Sequence, residues 1–247
     1  MSKSPQRFAP CVLFLLLAGV ARADPNDYIR DLDISPGETE LDVFSGSASR
    51  SRDGGPAGNA IGVGLGTGVV SFWKTELAAR FSSGLGGALD EIEWENVVRL
   101  SGAEGGPLRT GILVEFERPR DSGSAWSYSV GPAIQIERPG LRWNVNAFLA
   151  RTQGGPIATP VHASYQVQLR LDPQARLSYG VQAMGGAAYT DRQGGEVAAT
   201  HRAGPALWGR LRLPGGDEEL SWNAGLLLGV SRGAPDRTFR VQVEIEF

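Results

Sequence analysis

Over most of its length the chain changes chemical character at every second residue. Trp73, Thr75, Leu77, Ala79 and Phe81 alternate with Lys74, Glu76, Ala78 and Arg80. Ile92, Trp94, Val98 and Leu100 alternate with Glu91, Glu93, Glu95 and Arg99. Leu141, Trp143, Val145, Ala147 and Leu149 alternate with Arg142, Asn144 and Asn146, and Ala163, Tyr165, Val167, Leu169 and Leu171 with His162, Ser164, Gln166, Gln168 and Arg170. A period of two sends successive side chains to opposite faces of a strand, and helical spacing cannot produce it.

Reading the whole chain this way predicts strands near residues 39–45, 60–70, 72–81, 89–100, 108–118, 125–137, 141–150, 161–171, 176–188, 200–213, 219–231 and 238–247. Strands of soluble proteins usually have about 5–6 residues. Most of these are longer, and tilted strands of roughly 9–11 residues are what a bilayer demands. The expected fold is all-β: a transmembrane antiparallel up-and-down β-barrel of about 12 strands. A secreted soluble β-sandwich or lipocalin-like barrel is the alternative, but it would not need bulky aromatics at strand ends. Trp73 and Phe81, Phe239 and Phe247, and Tyr179 and Tyr189 sit at such ends, spaced as girdles around an apolar band about 25 Å tall.

Connection lengths give an independent test. The odd connections are mostly long (46–59, 82–88, 119–124, 151–160, 189–199, 232–237). The even ones are mostly short (71, 101–107, 138–140, 172–175, 214–218). With both termini periplasmic, the long loops face outside and the short turns face the periplasm, the usual asymmetry of bacterial outer-membrane barrels.

The beginning of the chain reads as an address. Lys3 and Arg7 precede an apolar run at 11–20 (CVLFLLLAGV), and Ala21-Arg22-Ala23 offers small residues where a signal peptidase cuts, so residues 1–23 are expected to be a cleaved signal peptide. The run is too short to span a bilayer as a helix, which takes roughly 20 residues. Residues 24–38 are then expected as a periplasmic N-terminal segment, and 39–247 as the barrel. Without the leader no cysteine remains, so disulfides do not hold the fold. Its loss also leaves 21 basic residues against 27 acids, a net charge of −6 that argues against a nucleic-acid partner.

At the other end, Phe239, Val241, Val243, Ile245 and the final Phe247 form an unbroken apolar face opposite Arg240, Gln242, Glu244 and Glu246. A terminal aromatic on such a face resembles the signal by which the barrel-assembly machinery recognises its clients, so that machinery and outer-membrane lipid are expected partners. Glu93-Trp94-Glu95-Asn96, Glu115-Phe116-Glu117-Arg118-Pro119 and the closing stretch from Gly233 to Arg240 carry a further likeness. Through them the chain resembles a group of outer-membrane β-barrel proteins of Gram-negative bacteria. More distantly it is similar to the outer-membrane proteins encoded with phenol-degradation pathways, suspected of helping hydrophobic compounds enter. The resemblance implies fold and location; it brings no catalytic residues.

Whatever the barrel does depends on its inward-facing side chains. Glu91, Glu93, Glu115 and Glu117 on neighbouring strands, with Arg80 beside them, form an expected charge cluster in the lumen, and Arg202 and Arg240 answer it from the far wall. Opposed charges across a lumen can sort solutes, yet they can equally knit a closed structural network. The chemistry of an enzyme is thinly represented. His162 and Ser164 share a face but lie roughly 6.6 Å apart along a strand, and His201 falls on the lipid-facing parity. No metal or cofactor site is expected, given two histidines without ligand spacing. Gly62, Gly64, Gly66 and Gly68 alternate on a lumen face; they lack the dinucleotide-binding pattern and read as room for bulky residues opposite. The expected function is porin-like transport, a conduit for small or hydrophobic solutes. A non-conducting structural or surface-interaction barrel and a lipid-modifying hydrolase are the alternatives.

Overall fold

The computed structural model describes residues 27–82, 87–120, 125–154, 158–190, 195–213 and 218–247; the expected signal peptide lies outside them. The strands are β1 (Thr39–Ala48), β2 (Gly58–Val70), β3 (Trp73–Ser82), β4 (Leu89–Ser101), β5 (Leu108–Pro119), β6 (Trp126–Arg138) and β7 (Leu141–Gln153). There follow β8 (His162–Leu171), β9 (Leu177–Gly186), β10 (Tyr189–Thr190), β11 (Glu196–Val197), β12 (Thr200–Arg212), β13 (Glu219–Gly229) and β14 (Arg237–Glu246). Each long strand pairs antiparallel with its neighbours, and β1 closes onto β14, giving a sealed barrel of twelve strands. Thr39 and Phe247 lock the seam by exchanging backbone hydrogen bonds of 3.1 and 2.9 Å. The extra pair, β10 and β11, lies in the connection from β9 to β12; two residues on each side are too short to show as alternation in the sequence.

The parity is as the alternation requires. Leu65, Leu77, Trp94, Ile134, Leu149, Leu207 and Leu226 stand exposed on the outer wall, whereas Glu93, Asn144, Gln168 and Arg240 are buried inside. Leu77 is 58% exposed and Glu93 on the adjoining strand 1%. Exposed leucines in such number are costly in water and at home in hydrocarbon. The short turns suit their sequences: Pro139-Gly140 joins β6 to β7 with Gly140 at φ +73°, a conformation that carries little penalty only for glycine.

Alternating glycines on β2 make the space the sequence suggests. A Cβ on Gly62 would lie 2.0 Å from the Phe44 ring, one on Gly64 2.1 Å from Glu76 Oε1, and one on Gly68 2.0 Å from the Ser35 carbonyl oxygen. The bare stripe therefore admits bulky side chains from both flanking strands, and at its lower end the backbone that precedes β1.

That preceding segment departs from expectation. Residues 27–35 do not hang beside the barrel in the periplasm; they run through its interior. Tyr28, Arg30, Leu32 and Ile34 are all buried, with half-buried residues between them. At one end Gly37 N donates to Gly68 O (2.7 Å) beside the short β2–β3 turn. At the other, Asp27 reaches Arg202 near the start of β12, at the mouth that carries the longer connections. An extended chain covers about 3.3 Å per residue, so this stretch traverses a band about 25 Å tall.

Candidate functional site: a lumen filled by its own N-terminal segment

The inner segment joins no β-ladder, so its backbone polar groups must find other partners. They find wall side chains. Leu32 N donates to Gln135 Oε1 (2.8 Å), Asn146 Nδ2 donates to Arg30 O (3.1 Å), and Arg99 Nη1 donates to Leu32 O (3.1 Å). The amides continue around the wall as a relay. Arg240 Nη1 donates to Gln182 Oε1 (2.9 Å), Gln182 to Gln168 (3.3 Å), Gln168 to Asn144 (3.0 Å) and Asn144 to Gln135 (3.1 Å). The peptide thus satisfies this lining at Gln135, Asn146 and Arg99, and the other amides satisfy one another.

Side chains of the segment dock in three layers. Asp27 accepts from Arg202 Nη2 at 2.6 Å. In the middle, Tyr28 Oη donates to Glu76 Oε1 (2.9 Å), while Arg30 is ion-paired with Glu95 and lies 3.6 Å from Glu93. Lower down, Asp33 is ion-paired with Arg109 and, at 2.8 Å, with Arg142, and both arginines also pair with Glu137. Between these polar layers Leu32 and Ile34 press on Val97, Leu113, Ala133 and Phe148, an apolar patch of the inner wall.

The sequence-derived cluster divides in two. Arg80 pairs with Glu93 and, at 3.3 Å, with Glu91. Glu115 accepts from the Ser129 hydroxyl, and carboxylate oxygens of Glu93, Glu115 and Glu117 lie within 4.8 Å of one another. These five residues do share one wall. Arg202 and Arg240 stand apart from them across the lumen, on β12 and β14, and meet Asp27 and Gln182 instead. The partners that sequence reading missed are Arg30, Asp33, Glu76, Glu95, Arg109 and Arg142. Their signal was present in Tyr28-Ile29-Arg30-Asp31-Leu32-Asp33-Ile34, which alternates as a strand does.

Beside Ser164 at the long-loop mouth stands His162. Its Nδ1 lies 3.3 Å from Pro160 O, and its ring stacks on Tyr189 at 4.7 Å. His201 sits on the outer face against Tyr165, with its Nδ1 3.3 Å from the phenol oxygen. Two water-accessible spaces flank the segment. One of about 310 Å³, at the short-turn end, is lined by Asp31, Lys74, Glu244 and Trp208 among others. The other, about 340 Å³, opens at the long-loop mouth beside Asp27 and Arg202.

The barrel superposes on an outer-membrane channel from Pseudomonas putida F1 with a TM-score of 0.60 at 12% identity, over 91% of this chain and 99% of that one. The fold is that of an outer-membrane β-barrel. Weaker likenesses extend to the translocator domain of the autotransporter NalP from Neisseria meningitidis (TM-score 0.49, 12% identity, 87% of this chain and 90% of that one). They reach also to the outer-membrane protein OprD from Pseudomonas aeruginosa (TM-score 0.39, 11% identity, 85% of this chain and 65% of that one). No protein-family model and no curated protein matches the sequence.

Proposed function

We propose that this protein is a gated outer-membrane conduit for small solutes, closed at rest by residues 27–35. The carrying observation is what fills the lumen. A barrel built only for stability can close itself with strand side chains, whose interior ladders need no further chain. Here the filling is a separate tethered segment with water-accessible space above and below it. Its polar attachments are hydrogen bonds and ion pairs, which water can replace, its apolar ones are the contacts of Tyr28, Leu32 and Ile34, and its hinge is the exposed Pro36-Gly37. The long-loop mouth is taken as the outer one, with both ends of the barrel chain in the periplasm and Phe247 presented to the assembly machinery. The short-turn space, where nine acidic residues including Asp31, Glu40, Asp42 and Glu244 face Lys74 and four arginines, favours cations. The apolar patch under Leu32 and Ile34 gives a hydrophobic solute somewhere to rest once the segment has moved, the reading closest to the phenol-pathway resemblance.

Conductance in planar bilayers tests this. The intact mature chain should be closed most of the time, and deleting residues 24–35 should give long-lived cation-selective openings. A cysteine pair, Leu32→Cys with Gly111→Cys, covers the case in which the deletion fails to fold. A Cβ at Gly111 would lie 2.7 Å from Leu32 Cδ2 and 2.7 Å from the Val98 carbonyl oxygen, so the side chains meet but the wall must give to admit the new one. Thiol counting and heat-modifiable migration establish the disulfide and the fold before conductance is read. The oxidised pair should be silent and the reduced pair should open. Silence in every form would refute the conduit.

A further inference from the structure

We propose that the solute is a short, extended peptide with a cationic side chain and, two residues later, an aliphatic one, and that residues 28–34 are its resident stand-in. The inference rests on the conduit reading and names the class of solute; its binding test does not depend on conduction.

A wall that meets only ions or small apolar compounds has no need to bind peptide groups. This one binds three of them, on residues two apart in an extended chain. Gln135 Oε1 accepts from the Leu32 N–H (2.8 Å), Arg99 Nη1 donates to the Leu32 carbonyl (3.1 Å), and Asn146 Nδ2 donates to the Arg30 carbonyl (3.1 Å). None of these contacts depends on the side chain of the residue it holds, so any peptide extended along the same line can make them. Sites that bind extended peptides divide labour in this way: the main chain supplies affinity, and pockets for alternate side chains supply choice.

Both kinds of pocket are present. Around Arg30 stand Glu95 and Glu93, which are 2% and 1% exposed, and carboxylates so buried call for a cation. Two residues on, Leu32, with Ile34 beyond it, covers the apolar patch of Val97, Leu113, Ala133 and Phe148. Charge sets the first preference and burial the second.

The segment is an imperfect occupant of this wall. Glu95 Oε1 and Asn146 Oδ1 are buried and have no hydrogen-bond partner among the described residues. Both atoms belong to side chains that grip residue 30, one through its guanidinium and the other through its carbonyl. A buried acceptor left unpaired is costly. A solute that brings one more donor to that place, as an ammonium with three does, gains what the segment forgoes. The segment keeps its place through its tether, which holds it at high local concentration. It can therefore close the lumen and still be displaced. The water-accessible spaces of about 310 and 340 Å³ beyond its two ends leave room for the termini of a free peptide.

Fluorescence anisotropy on the full mature chain in detergent tests the site, with labelled acetyl-Ala-Arg-Ala-Leu-Ala-Ile-amide as probe. Its arginine, leucine and isoleucine keep the spacing of Arg30, Leu32 and Ile34 and share nothing else with the segment. Arg30→Gln loosens the stand-in and should bind the probe about tenfold tighter than the intact chain, the worth of one charge-assisted hydrogen bond. Glutamine in place of the probe's arginine should cost this variant roughly tenfold or more. Adding Glu95→Gln to the protein should remove most of that difference. An ester in place of the leucine N–H of the probe removes the donor that Gln135 accepts, and should weaken binding roughly three- to tenfold. Arginine amide alone should not compete with the probe. The proposal is overturned by equal binding to Arg30→Gln and the intact chain, or by an arginine preference that survives Glu95→Gln. An ester as good as the amide, or arginine amide competing at the probe's own concentration, overturns the peptide assignment. Heat-modifiable migration establishes that each variant is folded, and the ester comparison, made on the intact chain, needs no variant. A barrel that conducts but binds no peptide leaves the conduit standing, whereas peptide binding to a barrel silent in all forms refutes the conduit alone.

Discussion

Removing the charge of Arg30 should loosen the inner segment more than any other single change in it. Arg30 is 7% exposed, holds Glu95 Oε2 and lies 3.6 Å from Glu93, while its guanidinium covers the Tyr28 ring. Glu95 is equally buried, and its other oxygen, Oε1, has no hydrogen-bond partner. Arg30→Gln therefore strands a carboxylate in a low-dielectric interior, and breaking a buried pair from one side costs about 3–5 kcal/mol. The segment is tethered, so the system has an escape: the segment can leave and let water reach Glu95. The cost then appears as a shift of the closed–open equilibrium by two to nearly four decades, at about 1.4 kcal/mol per decade. Global unfolding changes less, because the twelve-strand ladder does not depend on Arg30. Single-channel open probability and urea unfolding in liposomes, measured on Arg30→Gln, Glu95→Gln and the double variant, make the full cycle. The double variant should recover most of the loss, since neither charge remains to be stranded. Additive single effects, or an Arg30→Gln protein unchanged in both assays, would refute the argument.

On the lipid face, Leu77→Arg and Val145→Arg should each cost about 2–4 kcal/mol of folding stability in liposomes, and the lumenal Gln166→Arg much less. The reverse order would mean the parity is wrong by one residue. Deleting Phe247, which is 61% exposed beside the β1–β14 seam, should lower the amount of assembled, heat-modifiable barrel in outer-membrane fractions; undiminished levels would remove its role as an assembly signal. Gly62→Val drives a methyl-bearing carbon into the buried Phe44 ring and should cost about 1–3 kcal/mol by overpacking, read as a lower urea midpoint; an unchanged midpoint would show that the ring yields freely.

The barrel was legible because alternation specifies both conformation and side. Along β3, β4, β7 and β8 a residue's parity alone places it in lipid or lumen, and a slip of one position would turn every side chain over. The inner segment was not legible for the same reason in reverse. Tyr28 to Ile34 alternates well enough for an extended chain, but alternation says nothing about what faces it. The periplasm and the lumen are both polar surroundings that accept Arg30, Asp31 and Asp33. The charge cluster suffered likewise: neighbouring strands put Glu91, Glu93, Glu115, Glu117 and Arg80 together by register, which sequence order supplies. Arg202 depends instead on a partner from residue 27, whose position no strand register fixes.

The wall carries a trace of its occupant all the same. A lumen meant only to hold water has no need of side chains that point at peptide groups, and one meant only to seal itself can use ion pairs throughout. This one sets Gln182, Gln168, Asn144 and Gln135 in a continuous row from β9 to β6, each donating to the next. The row starts at Arg240 and finishes with Gln135 Oε1 accepting from Leu32 N. Neutral amides are the cheapest way to hold an extended backbone without stranding charge when it departs, because each can turn to water or to its neighbour. The charged contacts, by contrast, sit at the segment's own Asp27, Arg30 and Asp33, where departure exposes both partners to solvent together. That division of labour suits a filling that leaves and returns, and it makes the amide row, more than the carboxylate cluster, the feature of the lumen wall that marks a gate.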